Sequence, residues 1–101
     1  MPGHATWHVA ADDPSTIGHF PGNPIVPGAV LLREIVAAIA ARHPGEICRR
    51  IGAAKFLHPV RPGDNLRIEW ERTEDGEIRF LCMIAPEGPR AVIGALRLGP
   101  A

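Results

Sequence analysis

A loop rich in proline and glycine near the N-terminus carries the side chain best suited to acid–base chemistry. His19 stands within the sequence GHFPGNPIVPG. There Pro21, Pro24 and Pro27 fix the backbone φ angle and bias each preceding residue toward an extended conformation. A neutral imidazole can remove a proton near physiological pH, because its unperturbed pKa is about 6.5. The sequence therefore predicts a stiff loop that presents His19 as a base.

A helix-forming segment follows this loop directly. Ala29 to Arg42 reads AVLLREIVAAIAAR, and the helix is expected to end at His43-Pro44-Gly45. At its start, Gly28 and Ala29 supply backbone amides that have no partner inside a helix, together with the positive end of the helix dipole. These groups suit an oxygen that gains negative charge, and a glycine lets a ligand approach closely. Because most of the segment is apolar, we expect the helix to be buried on nearly every face.

Segments with strand character make up most of the remaining chain. They are Ala5 to Ala11, Ile47 to Leu57, Asn65 to Glu74, Glu77 to Ala85 and Arg90 to Leu98. In the third segment Leu66, Ile68 and Trp70 alternate with charged residues, and Glu74-Asp75-Gly76 is typical of a hairpin turn. One helix inserted after the first strand predicts an α+β fold, with a curved antiparallel sheet of about five strands around the helix. We expect residues 1–101 to form a single domain.

Composition narrows the class of protein. The chain has 11 basic and 11 acidic residues and a formal net charge of +0, which argues against nucleic acid or an anionic membrane as a partner. Cys48 and Cys82 lack the spacing of a metal site or a disulfide scaffold, so we predict two buried thiols in a reducing compartment. No apolar run approaches the ~20 residues of a membrane span, and the N-terminus has no signal-peptide pattern. We predict a soluble cytoplasmic protein.

Two motifs resemble one known family. His19 to Gly28 reads HFPGNPIVPG and resembles the HFPGxPxxPG signature of the β-hydroxyacyl-(acyl carrier protein) dehydratases of the hotdog superfamily, at every fixed position. Phe56 to Leu66 reads FLHPVRPGDNL and resembles that family's second landmark, a strand followed by a Pro-Gly-Asp turn and the next strand. The resemblance extends over Ala5 to Leu98.

This resemblance implies a hotdog fold that assembles as a homodimer or a higher oligomer of dimers, with active sites at the dimer interface. It implies an acyl thioester on acyl carrier protein or coenzyme A as the substrate, and we expect no cofactor. His19 would act as base or proton shuttle, and an acidic residue from the partner's helix would complete the pair. Gly28 and Ala29 would hold the thioester carbonyl. Gly22 would shape the loop, and Phe20 would pack over the tunnel mouth or the helix.

The chain departs from the family at the acid. In the dehydratases the acid lies fourteen positions after the loop histidine, where this sequence has Arg33, and Glu34 is one residue further on. One step along an α-helix turns a side chain by about 100°, so Glu34 reaches the same place only through a bulge or a rotated helix. Arginine cannot replace the acid, since it stays protonated at neutral pH.

Three hypotheses remain open. In the first, which we favour, Glu34 serves as the acid of a dehydratase that converts 3-hydroxyacyl thioesters to 2-enoyl thioesters in fatty-acid or related lipid or polyketide biosynthesis. In the second, the scaffold hydrolyses an acyl thioester. In the third, the chain is a non-catalytic subunit that binds an acyl thioester or a carrier protein, and Arg33 contacts a phosphate or carboxylate of the ligand.

The other histidines and the basic residues need no catalytic role. For His4, His8, His43 and His58 we favour structural or solvent roles, and their spacing predicts no metal site. A group of basic residues could receive an acidic carrier protein or a phosphate, and a solvated strand face explains the group equally well. These residues are Arg49, Arg50, Lys55, Arg61 and Arg67.

Overall fold

The computed structural model describes residues 2–12 and 24–101. Its elements are β1 Gly3–His8, α1 Gly28–Ala40, β2 Glu46–Phe56, β3 Asn65–Arg72, β4 Glu77–Ile84 and β5 Arg90–Pro100. The predicted α+β architecture of one helix with about five strands is confirmed. Within the described ranges no helix is long and apolar enough to cross a membrane.

The five strands form one sheet in the order β1-β3-β4-β5-β2, and every neighbouring pair is antiparallel. The centre consists of three consecutive strands, β3 to β5. The turn between β3 and β4 is closed by the Thr73 amide, which donates to the Glu77 carbonyl at 2.8 Å, and Gly76 has a φ angle of 89° that favours glycine. β1 and β2 form the two edges of this sheet.

The core lies between α1 and one face of the sheet. Leu31, Ile35 and Ile39 recur every four residues and form the buried stripe of the helix. β3 and β4 contribute alternate residues to the core, because successive side chains of a strand point to opposite faces, and β5 contributes three more. The buried sheet residues are Leu66, Ile68, Trp70, Ile78, Phe80, Cys82, Ala91, Val92 and Leu96.

The helix is less buried than its composition predicts. In the single chain only its Leu31-Ile35-Ile39 stripe is buried, so the prediction of burial on nearly every face is wrong for this chain alone. Ala29, Arg33 and Ala37 are exposed on the opposite side, away from the sheet. The sheet is open and covers one side of the helix, which leaves the other side without cover from the described residues.

Several strands and the helix begin or end up to three residues away from the predicted positions. β1 runs from Gly3 to His8 instead of Ala5 to Ala11, and α1 ends at Ala40 instead of Arg42. β3 ends at Arg72 because the next residue already belongs to the turn. β5 continues past Leu98 to Pro100 because its last residues pair with the start of β2.

The two thiols have different environments. Cys82 is fully buried in β4, and burial raises the pKa of its thiol to about 11. Cys48 in β2 is only half-buried, so the prediction of two buried thiols holds for Cys82 alone. Both cysteines are free.

Candidate functional site

The first turn of α1 has open backbone amides. Pro27 precedes the helix, and its carbonyl accepts hydrogen bonds from the amides of Val30 at 3.0 Å and Leu31 at 3.1 Å. Among the described residues, nothing accepts a hydrogen bond from the amides of Gly28 and Ala29. No side chain caps the helix there. Two adjacent donors at the positive end of a helix can stabilise an oxygen on which negative charge develops.

A pocket of about 370 Å³ lies at this end of the helix. One wall is the chain from Ile25 to Leu31, and the other is the chain from Phe56 to Pro59. The two walls are joined where the Val26 amide donates to the Val60 carbonyl at 2.7 Å. With a single exception the described side chains that line the pocket are apolar, so the pocket suits a hydrocarbon group whose polar end reaches the helix amides.

Phe56 forms the contact between the end of β2 and the helix. A Cβ atom added to Gly28 would lie 3.0 Å from the Phe56 ring, so the ring occupies the space that a side chain at position 28 would need. The Phe56 side chain is nevertheless 51% exposed. The glycine thus permits close packing of an aromatic ring, whereas the sequence suggested close approach of a ligand.

Arg33 and Glu34 lie further along the helix and do not line this pocket. α1 is continuous from Gly28 to Ala40, without the bulge that would bring Glu34 to the position of Arg33. The Arg33 side chain is 70% exposed and the Glu34 side chain 39% exposed, and their charged groups lie 3.8 Å apart. Arg33 thus points away from the sheet, while Glu34 lies on the flank of the helix.

The remaining predicted site residues, His19, Phe20 and Gly22, lie outside the described residues. Sequence reasoning gave no site role to Phe56 or His58, although both line the pocket. The sequence signal for both residues is their place in FLHPVRPGDNL, the motif that begins at the end of a predicted strand.

A larger cavity of about 530 Å³ lies on the other face of the sheet. Its residues Arg67 and Glu69 alternate along β3 with the core residues Ile68 and Trp70, which places them on the face away from α1. The guanidinium of Arg67 already pairs with the carboxylate of Glu69 at 2.6 Å. The smaller pocket combines apolar walls with open amides, so we take it as the candidate site.

The most strongly shifted carboxyl lies far from this pocket, in the turn between β3 and β4. The hydroxyl of Thr73 and the amide of Glu77 donate to Asp75, whose carboxylate also pairs with Arg97 at 2.9 Å. These contacts lower the pKa of Asp75 to about 2. In residues 2–12 and 24–101, no group of three His, Cys, Asp or Glu side chains is arranged to hold a metal ion.

A family model of ApeI-like dehydratases matches residues 3–91. The chain belongs to this family. The matched residues include all of β1 to β4 and both walls of the pocket. Membership agrees with the resemblance found in the sequence, since both point to hotdog dehydratases.

Several relatives carry the name 3-hydroxyacyl-(acyl-carrier-protein) dehydratase FabZ. The protein from Chloroflexus aggregans is 44% identical over 69 residues, which cover 60% of this chain and 48% of the relative. The protein from Klebsiella pneumoniae is 35% identical over 96 residues, which cover 83% of this chain and 64% of the relative. The chain thus spans between about half and two thirds of the length of these two relatives.

Among solved structures, the dehydratase heterocomplex ApeI:P from Xenorhabdus doucetiae has a similar fold. It superposes with a TM-score of 0.77 at 22% identity, over 96% of this chain and 86% of the other. The predicted hotdog fold of this ApeI-like chain is thereby confirmed.

Proposed function

We propose that this chain dehydrates 3-hydroxyacyl thioesters to 2-enoyl thioesters, with the acyl group carried on acyl carrier protein or coenzyme A. The pathway would be fatty-acid biosynthesis or a related lipid or polyketide pathway. The observation that carries the proposal is the apolar pocket at the N-terminus of α1, where the Gly28 and Ala29 amides donate to no other described group. Membership in the ApeI-like dehydratase family supports the same reaction.

The reaction needs three groups, and the chain contains a candidate for each. His19 removes a proton from carbon 2, and the electron pair left behind forms the double bond to carbon 3. The amides of Gly28 and Ala29 stabilise the charge that develops on the thioester oxygen. The bond from carbon 3 to its hydroxyl breaks, and the protonated carboxyl of Glu34 donates the proton with which the hydroxyl leaves as water. The proton on His19 then returns to solvent, and Glu34 takes up another.

A homodimer would complete the site. β2 is an edge strand, and large apolar side chains on it and just beyond it are 43–51% exposed. These are Ile47, Ile51, Phe56 and Leu57. Pairing of β2 with the β2 of a second copy would cover them and bring a second helix toward the uncovered side of α1. In that arrangement Glu34 of one protomer serves His19 of the other, and two such dimers or more can associate further.

One observation favours a second candidate, a subunit that binds acyl thioesters without converting them. Arg33 occupies the position of the family's acid, and α1 has no irregularity that would substitute Glu34 for it. An exposed guanidinium suits a phosphate or carboxylate ligand. In this candidate the pocket still receives the acyl group, and Arg33 contacts the carrier.

Turnover assays separate these functions. The purified chain is mixed with 3-hydroxybutyryl-coenzyme A, and both the absorbance of the conjugated enoyl thioester and the release of free thiol are followed. Enoyl thioester without free thiol supports dehydration. Free thiol without an enoyl product would instead identify a thioesterase, and binding with neither product would identify the non-catalytic subunit.

We place the protein in the cytoplasm, with both cysteines reduced.

A further inference from the structure

The described part of the candidate pocket contains one polar side chain. Of the eight described residues that line the pocket, His58 alone carries a side chain that can form hydrogen bonds. His58 follows Phe56 and Leu57, both 51% exposed, so these three residues lie where the pocket opens to solvent. A polar side chain at the opening of an apolar pocket suits a ligand that places its hydrocarbon end inside the pocket and a hydrogen-bonding group at the opening.

A backbone contact fixes the orientation of the His58 ring. Its Nδ1 atom lies 2.7 Å from the carbonyl oxygen of Pro59. A carbonyl oxygen only accepts hydrogen bonds, so Nδ1 must carry the hydrogen of this contact. In the neutral ring the proton-free nitrogen is then Nε2, which is an acceptor. No described residue donates a hydrogen bond to Nε2.

The chemistry of the opening selects one part of an acyl thioester. The acyl chain needs apolar walls, and the thioester oxygen needs the donors at Gly28 and Ala29. The pantetheine arm joins the sulfur to the carrier and must therefore pass through the opening, and it contains secondary amides whose N–H groups need acceptors. A phosphate would need donors, but none of the described residues that line the pocket is a lysine or an arginine. An imidazole whose Nε2 atom is an open acceptor matches an amide N–H.

We propose that Nε2 of His58 accepts a hydrogen bond from an amide N–H of the pantetheine arm and so positions the thioester beneath the amides of α1. This role rests on the proposed function, because it presumes an acyl thioester in the same pocket. His58 is then a substrate-binding residue, and its hydrogen bond stabilises the bound substrate and the transition state equally. Its loss raises KM and leaves kcat unchanged.

Two synthetic substrates that differ in one group provide the test. The first is the N-acetylcysteamine thioester of 3-hydroxybutyrate, whose arm contains one amide N–H. The second is the thioester of 2-acetoxyethanethiol, in which an ester oxygen replaces that N–H. With His58→Leu, KM for the amide substrate rises roughly fivefold, equivalent to about 1 kcal/mol for one hydrogen bond. KM for the ester substrate does not change.

Two further variants sharpen the result. His58→Gln retains a side-chain acceptor, so its KM for the amide substrate lies closer to that of the wild type than the leucine variant's does. His4→Leu is the matched control, because His4 is also exposed but lies on β1 at the opposite edge of the sheet. It changes neither KM. An equal rise of both KM values in His58→Leu, or no rise at all, would overturn the proposal.

Binding measurements keep this test separate from catalysis. Butyryl thioesters of the same two thiols lack the 3-hydroxyl group and cannot be dehydrated, so calorimetric titration yields their Kd values directly. Tighter binding of the amide ligand by the wild type, lost in His58→Leu, supports the role of His58 even if no substrate is turned over. Equal Kd values for the two ligands in the wild type contradict it, even if the chain proves to be an active dehydratase.

Discussion

The two edges of the sheet differ in length and in what they expose. β1 has six residues, and its one large apolar side chain, Trp7, packs against the core. β2 has eleven residues and leaves Ile47 and Ile51 each 43% exposed and Phe56 51% exposed. A long edge strand with exposed apolar side chains readily pairs with another strand, whereas a short edge does so less readily.

The open edge and the candidate pocket lie at the same end of the molecule. β2 ends at Phe56, whose ring packs against Gly28 and lines the pocket. A partner chain that covers β2 would therefore also border the pocket. The large apolar side chains that the described residues expose thus lie on β2 and just beyond it, beside the pocket, and this is where we propose that a second copy binds.

The largest effect is expected from Glu34→Gln, which tests whether Glu34 is the acid of the proposed reaction. Loss of a general acid lowers kcat by roughly 10²–10⁴-fold, because the leaving hydroxyl no longer receives a proton. The matched control is Glu71→Gln, since Glu71 is exposed on β3 beside β1 and the substitution removes the same charge. Steady-state kinetics with 3-hydroxybutyryl-coenzyme A measure both. Unchanged kcat in Glu34→Gln excludes this residue as the acid.

Ile51→Lys should break the proposed dimer. A lysine in the centre of the apolar β2 edge makes burial of that edge against a second copy unfavourable. We therefore expect the dissociation constant of the dimer to rise by about 30-fold or more, as for a central interface residue. Thr6→Lys places the same charge on β1 and should leave the dimer intact. Light scattering across a concentration series gives the association state. Dissociation by the β1 substitution, with Ile51→Lys still dimeric, would reverse the assignment of the two edges.

Gly28→Ala tests the contact between the helix and the end of β2. The added methyl group would lie 3.0 Å from the Phe56 ring, so the ring must move and the pocket wall with it. We expect kcat/KM to fall about tenfold, as for a modest displacement of a positioning wall. Phe56→Leu in the same chain removes the close contact and restores part of the loss. Purely additive effects of the two substitutions would show that the contact is not coupled to activity.

Asp75→Asn should have the smallest effect, on stability alone, since the turn lies away from both edges. The folded state lowers the pKa of Asp75 from 3.8 to about 2, so its charge stabilises the fold above about pH 4, and this contribution is lost as the pH falls through about 2. Urea denaturation should show a less stable variant at neutral pH and a smaller difference from the wild type near pH 2, where the Asp75 carboxyl of the folded chain is partly protonated. A difference as large near pH 2 as at neutral pH would contradict the assigned cause.

Much of the fold could be predicted from local patterns. The alternation of Leu66, Ile68 and Trp70 located β3 and its buried face, and the Asp75-Gly76 pair located the hairpin turn. Strand order was harder, because β2 pairs with β5 at the far end of the chain, and local periodicity does not report such a contact.

The site was predicted less completely. Gly28 was recognised because a helix start has open amides wherever it occurs. His58 was missed because its place in the pocket depends on where the chain after β2 passes the helix, which is a tertiary contact. Burial of α1 was overestimated because composition shows how apolar a helix is and not how much of its surface the chain covers.

The most direct test of the proposed two-chain site is complementation between two inactive variants. His19→Ala and Glu34→Gln are each purified, mixed, dissociated and reassembled, and formation of enoyl thioester is measured. If His19 of one chain works with Glu34 of the other, the mixture should recover roughly a quarter of wild-type activity, because half of the dimers are mixed and each of these has one intact site. Recovery of no activity, with wild-type chain active and mixed dimers present, would contradict a site shared between two copies.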